Sequence, residues 1–430
     1  MNLVVLIPAL CIIALMLLNV PIWIAMLVGV LPYFMSLNSM GFASATAVQR
    51  MVATMEASSY LAIPFFVTAG VIMNYSGISK RLLDFAEALV GHLTGGLAQV
   101  NVLLSVLMGG ISGSSAADAA MECKILVPEM ERKGYDRDFC ATVTLASSMV
   151  TPIIPPGIGL IVYAMLANVS VGRMFASGYI PGALAAIGMM VIVHVISKKK
   201  GFAPSRDKMA PAKDVLRLFI QGFWALIIPF GLLFALRGGM FTATEAGAIC
   251  ASYSLVIGAF VYKELKIEHL WPIIKESVLG TATVMMTICG AMTMSYWLGV
   301  ERIPNALAQM IVGAGLPKFL FMLISVLIFT LFGMFMTGGI EIFTPLLAPI
   351  AVAVGINPIQ FGLVMVFTLC VGNMTPPFGI VLFQVSSLLE IKIQDIVKAS
   401  MPFMIWLIAC CFIWAFVPVC STWLPGLLYG

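Results

Sequence analysis

Two short stretches rich in glycine, proline and hydroxyl side chains interrupt the apolar sequence of the first half of the chain, at Gly109–Asp118 and Ser147–Gly157. Two comparable interruptions occur in the second half, at Thr337–Gly339 and Gly372–Phe378. Helix breakers are tolerated at membrane depth only where the freed backbone groups meet protein, water or an ion. Because paired interruptions at corresponding positions of two halves mark the binding site of a secondary transporter, these stretches are the candidate functional site.

The interruptions bring together hydroxyl groups and freed carbonyls, which are neutral oxygen ligands suited to a small hard cation. The expected sodium ligands are Ser112, Gly113, Ser114, Ser115, Ser148, Thr151 and Pro152 in the first half, and Thr337, Gly338, Gly372, Asn373, Met374 and Thr375 in the second. The first and third interruptions are expected to form the tips of two hairpins. An anion would be held between these two tips by the partial positive charge of helix N-termini. The expected substrate-binding residues are Ser115, Asp118, Pro155, Pro156, Gly339, Glu341, Pro376 and Pro377. The alternative is packing glycines and proline kinks, which are common in membrane helices.

Two carboxylates, Asp118 and Glu341, follow the first and third interruptions. Ionisable groups inside a membrane are functional candidates by default. Each carboxylate could instead cap the N-terminus of the helix that begins there. Both interpretations stay open at the level of the sequence.

Composition identifies the class of protein. The chain has 430 residues, of which 61% are hydrophobic and 10% charged, and its mean hydropathy is +1.07. A spanning helix needs about 20 apolar residues, so the length allows roughly a dozen crossings. The alternating segments of a β-barrel are absent. The chain is therefore expected to be an all-α polytopic membrane protein.

Other classes of function have little support in the sequence. The net charge of +4 gives no case for nucleic acid. The nine cysteines are scattered without metal-ligand spacing, and the three histidines lie far apart. We therefore expect no cofactor, no metal other than Na⁺, and no enzyme activity. The apolar N-terminus lacks a basic region and a cleavage site, so it is interpreted as a first membrane helix.

The charge pattern orients the chain and divides it. The basic stretch 197–217 is expected on the cytoplasmic side by the positive-inside rule. The expected units are residues 1–95 (scaffold helices and an interfacial arm), 96–196 (transport repeat 1, with hairpin 97–130 and broken helix 139–169), 197–217 (cytoplasmic basic connector), 218–317 (scaffold helices and a second interfacial arm) and 318–430 (transport repeat 2, with hairpin 319–354, broken helix 361–389 and last helix 396–417).

A constant offset of 221 residues relates the two halves. It carries Pro128 to Pro349, Gly134 to Gly355, Pro155-Pro156 to Pro376-Pro377, and Pro181 to Pro402. Self-similarity of this kind indicates an internal repeat. The prediction is therefore an inverted repeat with two re-entrant hairpins and two discontinuous helices.

Four motifs resemble the large membrane subunit of tripartite ATP-independent periplasmic (TRAP) transporters, the DctM/SiaM type. They are Ile63–Gly70 with Gly77-Ile78, the hairpin Gly110–Ala116, Thr244–Gly247, and Asn373–Pro377. The resemblance covers essentially the whole chain. It implies sodium-driven uptake of an organic-acid anion, of the C4-dicarboxylate or sialic-acid type, by an elevator mechanism in the bacterial inner membrane. It also implies two partners, a small four-helix membrane subunit (DctQ type) and a periplasmic substrate-binding protein, and the small subunit is expected to be a separate chain.

Three alternatives stay open. The first is a stand-alone sodium/dicarboxylate or citrate symporter of related architecture, which needs no soluble receptor. The second is a membrane-embedded enzyme, although no Ser/His/Asp or HExxH constellation is present. The third is an ion channel, which saturable substrate-dependent flux would exclude. The sequence identifies neither the substrate nor the sodium stoichiometry.

Overall fold

The computed structural model describes residues 3–18, 20–36, 45–237, 240–336 and 338–430. Within these ranges the chain is α-helical and contains no β-strand. The helices of the first half are α1 (Leu3–Leu17), α2 (Ile22–Ser36), α3 (Ala45–Glu56), α4 (Ala62–Tyr75), α5 (Ile78–Val90), α6 (Gly96–Ser112), α7 (Ser115–Ile125), α8 (Val127–Arg132), α9 (Arg137–Ser147), α10 (Ile158–Leu166) and α11 (Val171–Lys200). Those of the second half are α12 (Ala212–Arg237), α13 (Ala243–Val256), α14 (Leu270–Val300), α15 (Ile303–Gly313), α16 (Lys318–Gly333), α17 (Gly339–Ala353), α18 (Pro358–Gly372), α19 (Ile380–Leu389), α20 (Ile393–Phe416) and α21 (Val419–Tyr429).

Several helical stretches are long and apolar enough to cross a membrane. Among the described residues there are six, namely Ser58–Tyr75, Arg137–Leu166, Val171–Lys200, Ala243–Val261, Ile267–Val300 and Ile393–Phe416. The helices that flank the first and third interruptions are shorter, with 17 residues in α6 and 16 in α16. A crossing needs about 20 residues, so these lengths suit helices that stop inside the membrane. The all-α polytopic membrane class is confirmed.

The two halves repeat one order of elements. α2, α4, α5 and α6 correspond to α13, α14, α15 and α16, and α9, α10 and α11 correspond to α18, α19 and α20. Gly134 and Gly355, 221 residues apart, both have a φ of +83°. The packing is reciprocal as well, because α4 lies on α13 while α14 lies on α2, and α9 lies on α20 while α11 lies on α18. The repeat deduced from proline and glycine landmarks therefore extends to the tertiary structure.

α5 is the helix predicted to form the interfacial arm of the first half. Gly77 precedes it with a φ of +72°, a conformation that favours glycine. The apolar side chains of α5 recur at helical spacing and are buried, while its charged side chains lie on the other face. On that face Arg81 forms an ion pair of 2.7 Å with Glu264, just after α13. The interfacial location predicted for this helix stays a prediction.

The structure departs from the sequence-based boundaries in several places. The second helix of the first hairpin divides at Leu126 into α7 and α8. The basic connector is helical at both ends, because α11 continues to Lys200 and α12 begins at Ala212. α3 and α21 have no counterpart in the sequence prediction. α3 is rich in polar residues, and α21 contains Pro425, a residue that usually breaks helices.

Candidate ion- and substrate-binding site

The first tip lies at the junction of α6 and α7. Gly113 ends α6 in the left-handed conformation, with a φ of +56°. Ser114 then adopts an extended conformation and caps α7, and its Oγ accepts a hydrogen bond of 3.5 Å from the Ala117 N–H. A Cβ added to Gly113 would lie 3.1 Å from the carbonyl oxygen of Pro156 and 3.2 Å from the nitrogen of Ile158. The tip therefore lies directly against the interruption between α9 and α10.

That interruption, residues 148–157, is buried along its length. Thr151–Ile153 form one short 3₁₀ turn, and α10 begins at Ile158. A Cβ on Gly178 of α11 would collide with the carbonyl oxygen of Ile153. Glycine at this position lets the irregular segment approach the neighbouring helix closely. The predicted residues Ser148, Thr151, Pro152, Pro155 and Pro156 are therefore all inside the protein.

The second half contains the corresponding pair of interruptions, at 337–339 and 372–378, and these make different contacts with the neighbouring helices. Thr337, a predicted sodium ligand, lies outside the described residues, and Gly338 and Gly339 lead into α17. Gly372 ends α18 against α16, where an added Cβ would lie 2.6 Å from the Cα of Gly333. The carbonyl oxygen of Asn373 accepts hydrogen bonds from the first turn of α19. Asn373, Met374 and Thr375 are buried, Pro376 is half-buried and Pro377 is exposed.

The second tip is the start of α17 at Gly338-Gly339. Each of the two tips packs on the broken helix of the other half. α7 lies on α19, where Gln384 Nε2 donates a hydrogen bond of 3.1 Å to the carbonyl oxygen of Ala116. α17 lies on α10, and a Cβ on Gly159 would lie 3.0 Å from Cδ1 of Ile340. The two pairs of interruptions, far apart in sequence, are thus joined in one packed region.

Several predicted oxygen ligands already hydrogen-bond within the protein. Ser148 Oγ donates to the carbonyl of Leu145 at 3.0 Å, and Thr375 Oγ1 donates to that of Val371 at 2.8 Å. A hydroxyl that donates its hydrogen still has lone pairs for a cation. Ser112 Oγ and Asn373 Oδ1 are buried without a hydrogen-bond partner among the described residues. These two oxygens could therefore bind a cation without giving up a hydrogen bond within the described part of the chain.

The two predicted carboxylates differ in their surroundings. Ser114 caps α7, so Asp118 is free for another role, and its Oδ2 accepts a hydrogen bond of 2.7 Å from Thr151. Glu341 is buried in the first turn of α17, and its Oε2 has no partner in the described part of the chain. Buried polar groups are normally hydrogen-bonded. Both acids therefore have an oxygen that is available to a ligand.

Sequence reasoning missed a third buried acid, Glu122. It lies one turn after Asp118 on α7 and is fully buried. Ser105 of α6 donates a hydrogen bond of 2.8 Å to its Oε1, and Ser147 Oγ lies 3.3 Å from its Oε2. The signal in the sequence was the spacing, since residues four apart share one helix face.

Comparison with known proteins establishes the family. Residues 9–420 match the family model of the tripartite ATP-independent periplasmic transporter, DctM component. The sialic acid TRAP transporter large permease protein SiaM of Vibrio cholerae is 32% identical over 415 residues, which are 96% of each chain. The C4-dicarboxylate TRAP transporter large permease protein DctM of Pseudomonas aeruginosa is 33% identical over 381 residues, which are 88% of this chain and 89% of that one.

A solved structure supports the fold. The YdaH transporter of Alcanivorax borkumensis matches with a TM-score of 0.63 at 15% identity, and covers 99% of this chain and 100% of its own. This likeness concerns the fold alone. The motifs, the repeat and the whole-length matches agree: the chain belongs to the DctM component family of TRAP transporters, whose members are transporter permeases and not enzymes.

Proposed function

We propose that this permease imports an organic-acid anion together with sodium across the bacterial inner membrane. The relatives are named for sialic acid and for C4-dicarboxylates, which are organic acids. The anion is delivered by a periplasmic binding protein, and the permease acts with a small four-helix membrane subunit. The family name, which contains the words tripartite and periplasmic, supports the proposal of two partners.

The reciprocal packing of the tips supports this proposal most strongly. A site made by α7 with α19, and by α17 with α10, contains parts of both halves. The helices at the tips point their N-termini into this region, which favours the negative charge of a carboxylate. The hydroxyl, amide and carbonyl oxygens beside them are uncharged, and such ligands suit Na⁺. We propose that the hairpins and broken helices move as one block against the remaining helices.

Uptake into proteoliposomes tests the proposal. The purified chain is reconstituted with its small membrane subunit, and the receptor is added outside. Radiolabelled N-acetylneuraminate and succinate serve as probes of the two substrate classes. We expect accumulation only with receptor present and only under an inward sodium gradient. Equal uptake under a potassium gradient would refute sodium coupling, and full uptake without receptor would identify a stand-alone carrier.

A matched pair of variants locates the sodium site. Thr375 and Thr283 each donate a hydrogen bond of 2.8 Å to the carbonyl four residues earlier. Thr375 is buried at the interruption, whereas Thr283 is exposed on α14. Thr375→Leu removes the candidate oxygen ligand and fills its space, so sodium-stimulated uptake is expected to be lost. Thr283→Leu removes the same type of hydrogen bond outside the site and should transport normally.

Unchanged sodium stimulation in Thr375→Leu would refute the assignment of this interruption to sodium. Loss of uptake in both variants would also contradict the assignment. The loss would then follow from removal of a hydrogen bond to the helix backbone, which both variants share, and not from removal of a sodium ligand. Expression and thermal stability of the two variants are measured in parallel.

A further inference from the structure

A cavity of about 480 Å³ lies where α5 meets α12 and the segment that follows α13. Its lining contains four charged side chains, two cationic and two acidic, which are Lys80, Arg81, Asp84 and Glu264. The rest of its wall is largely apolar or aromatic. No lining residue belongs to the two pairs of interruptions. The cavity is therefore separate from the region where the tips meet.

Two of the four charges are paired within the protein. Arg81 Nη1 lies 2.7 Å from Glu264 Oε1, and the Arg81 guanidinium stacks on the Tyr262 ring, 3.9 Å from its centroid. Lys80 and Asp84 have neither an ion-pair nor a hydrogen-bond partner among the described residues. They are four positions apart on α5, where opposite charges are able to pair. The cavity thus presents one available positive charge and one available negative charge.

This cavity lies on the same side of the protein as the basic connector. Arg206 of the connector is 3.8 Å from Glu87 of α5, and the Ser205 N–H donates a hydrogen bond of 2.9 Å to the carbonyl of Gly91. That side is the one predicted to be cytoplasmic. Trp224, which lines the cavity, is exposed, and tryptophan is enriched at the level of the lipid headgroups. We therefore expect the cavity to lie at this level of the inner leaflet.

An apolar cavity continues along the same pair of helices. It has a volume of about 210 Å³, lies between α12 and α13, and is lined by residues that include Ile228, Gly231 and Ile249. Tyr253 also lines it, and its hydroxyl donates a hydrogen bond of 2.8 Å to the carbonyl of Trp224, which lines the charged cavity. The charged and the apolar cavity therefore adjoin at this hydrogen bond. We call the two together the lipid groove.

The length of the lipid groove matches one leaflet of a membrane. Ala235 is the last residue of α12 on the apolar cavity. It lies about three turns after Trp224, which is about 17 Å along the helix. Half of the hydrocarbon core of a bilayer is about 15 Å thick. An acyl chain attached to a headgroup in the charged cavity would therefore run along the apolar cavity to the middle of the membrane.

We propose that the lipid groove binds one phospholipid with an ethanolamine headgroup. Lys80 binds the phosphate, and the carboxylate of Asp84 accepts hydrogen bonds from the ammonium. One acyl chain lies between α12 and α13. A primary ammonium has three N–H donors, whereas a choline headgroup has none and a glycerol headgroup has no cation. Charge complementarity thus selects ethanolamine.

Thermal stability of the purified full-length chain in detergent tests the proposal. The chain is stripped of lipid, and dioleoyl-phosphatidylethanolamine, dioleoyl-phosphatidylglycerol or the soluble headgroup glycerophosphoethanolamine is then added. A ligand that binds only the folded protein raises its thermal stability. We expect a saturable increase with the ethanolamine lipid, a smaller one with the glycerol lipid and none with the soluble headgroup. The measurement uses no substrate, receptor or sodium, so it is independent of the proposed function.

Two matched pairs of variants locate the lipid. Lys80→Gln removes the charge that binds phosphate and should weaken binding of the ethanolamine lipid by about tenfold. Lys198→Gln removes an exposed charge at the end of α11, outside the groove, and should bind like wild type. Gly231→Phe fills the apolar cavity, and its Cβ has space because the nearest atom, Cγ2 of Ile227, is 3.7 Å away. Gly313→Phe on α15, where no atom lies within 4 Å of an added Cβ, is its control.

Asp84→Asn tests the choice of headgroup. This variant lacks the charge that faces the ammonium, so the ethanolamine and the glycerol lipid should stabilise it equally. Equal stabilisation of wild type by these two lipids, or by the soluble headgroup, would overturn the proposal. Wild-type stabilisation of Gly231→Phe would overturn it as well.

Native mass spectrometry of the same samples counts the bound lipids. We expect one ethanolamine lipid on wild type and on Gly313→Phe, and none on Gly231→Phe. The small membrane subunit is added in a parallel sample. Displacement of the lipid by this subunit would show that the groove is a docking site for a protein helix, and the proposal would then be wrong.

Discussion

The crossing of α16 and α18 offers a direct test of how the closely packed backbone positions the interruption at Gly372–Phe378. A Cβ on Gly372 would lie 2.6 Å from the Cα of Gly333 and 2.7 Å from the carbonyl oxygen of Thr330. These are backbone atoms that cannot rotate away. Carbon atoms are in favourable contact at about 3.5 Å, so Gly372→Ala requires the helices to separate by about 1 Å.

The magnitude follows from this overlap. Overpacking in a well-packed interior costs about 1–3 kcal/mol, which is roughly 5- to 150-fold in the equilibrium between folded and unfolded protein. A binding site tolerates displacements of about 0.5 Å. Because Asn373–Thr375 follow Gly372 directly, Gly372→Ala should lower both thermal stability and sodium-driven uptake. Gly333→Ala, on the opposite side of the crossing, should have the same effect.

The assay is the fraction of folded protein that survives heating in detergent, together with uptake in proteoliposomes. Gly222→Ala on α12 is the control, because the nearest atom to its added Cβ is 3.7 Å away. There the methyl group has space, and alanine favours the helix by about 1 kcal/mol. The reasoning is refuted if Gly372→Ala and Gly333→Ala are as stable and active as Gly222→Ala.

Two further predictions concern the first tip. Ser114→Ala removes a cap, as does Ser170→Ala at the start of α11, and each should cost about 0.5–2 kcal/mol of stability. Only Ser114→Ala should also raise the sodium concentration needed for half-maximal uptake; equal sodium dependence in the two variants would exclude Ser114 as a ligand. Gln384→Ala removes the hydrogen bond to Ala116 that joins the tip to α19. It should reduce uptake, and wild-type rates in this variant would show that the link is dispensable.

The sequence predicts most of the fold because the corresponding positions of the two repeats are occupied by glycine and proline, which have strong backbone preferences. Gly134 and Gly355 have the same positive φ, and Pro181 and Pro402 lie inside corresponding helices. Apolar runs of sufficient length give the helices between them. α3 is not predictable from its sequence because its many polar residues are also typical of a loop, although in the helix they lie on one side.

The candidate site is less predictable, because its contacts join the two halves. Nothing in the local sequence shows that Gln384 bonds to Ala116, or that Thr151 bonds to Asp118. Glu122 does not stand out in the sequence because it lies in a helix with small residues, away from any interruption. Its partners come from α6 and α9, and only the tertiary structure brings these together.

Direct binding of sodium to the purified chain tests the central claim, that oxygen ligands at the paired interruptions hold a cation. Radioactive sodium is measured in equilibrium with wild type, with the double variant Ser114→Leu/Thr375→Leu, and with Thr283→Leu. Saturable binding by wild type and Thr283→Leu, and its loss in the double variant, is the predicted result. Undiminished saturable binding by the double variant would contradict the claim.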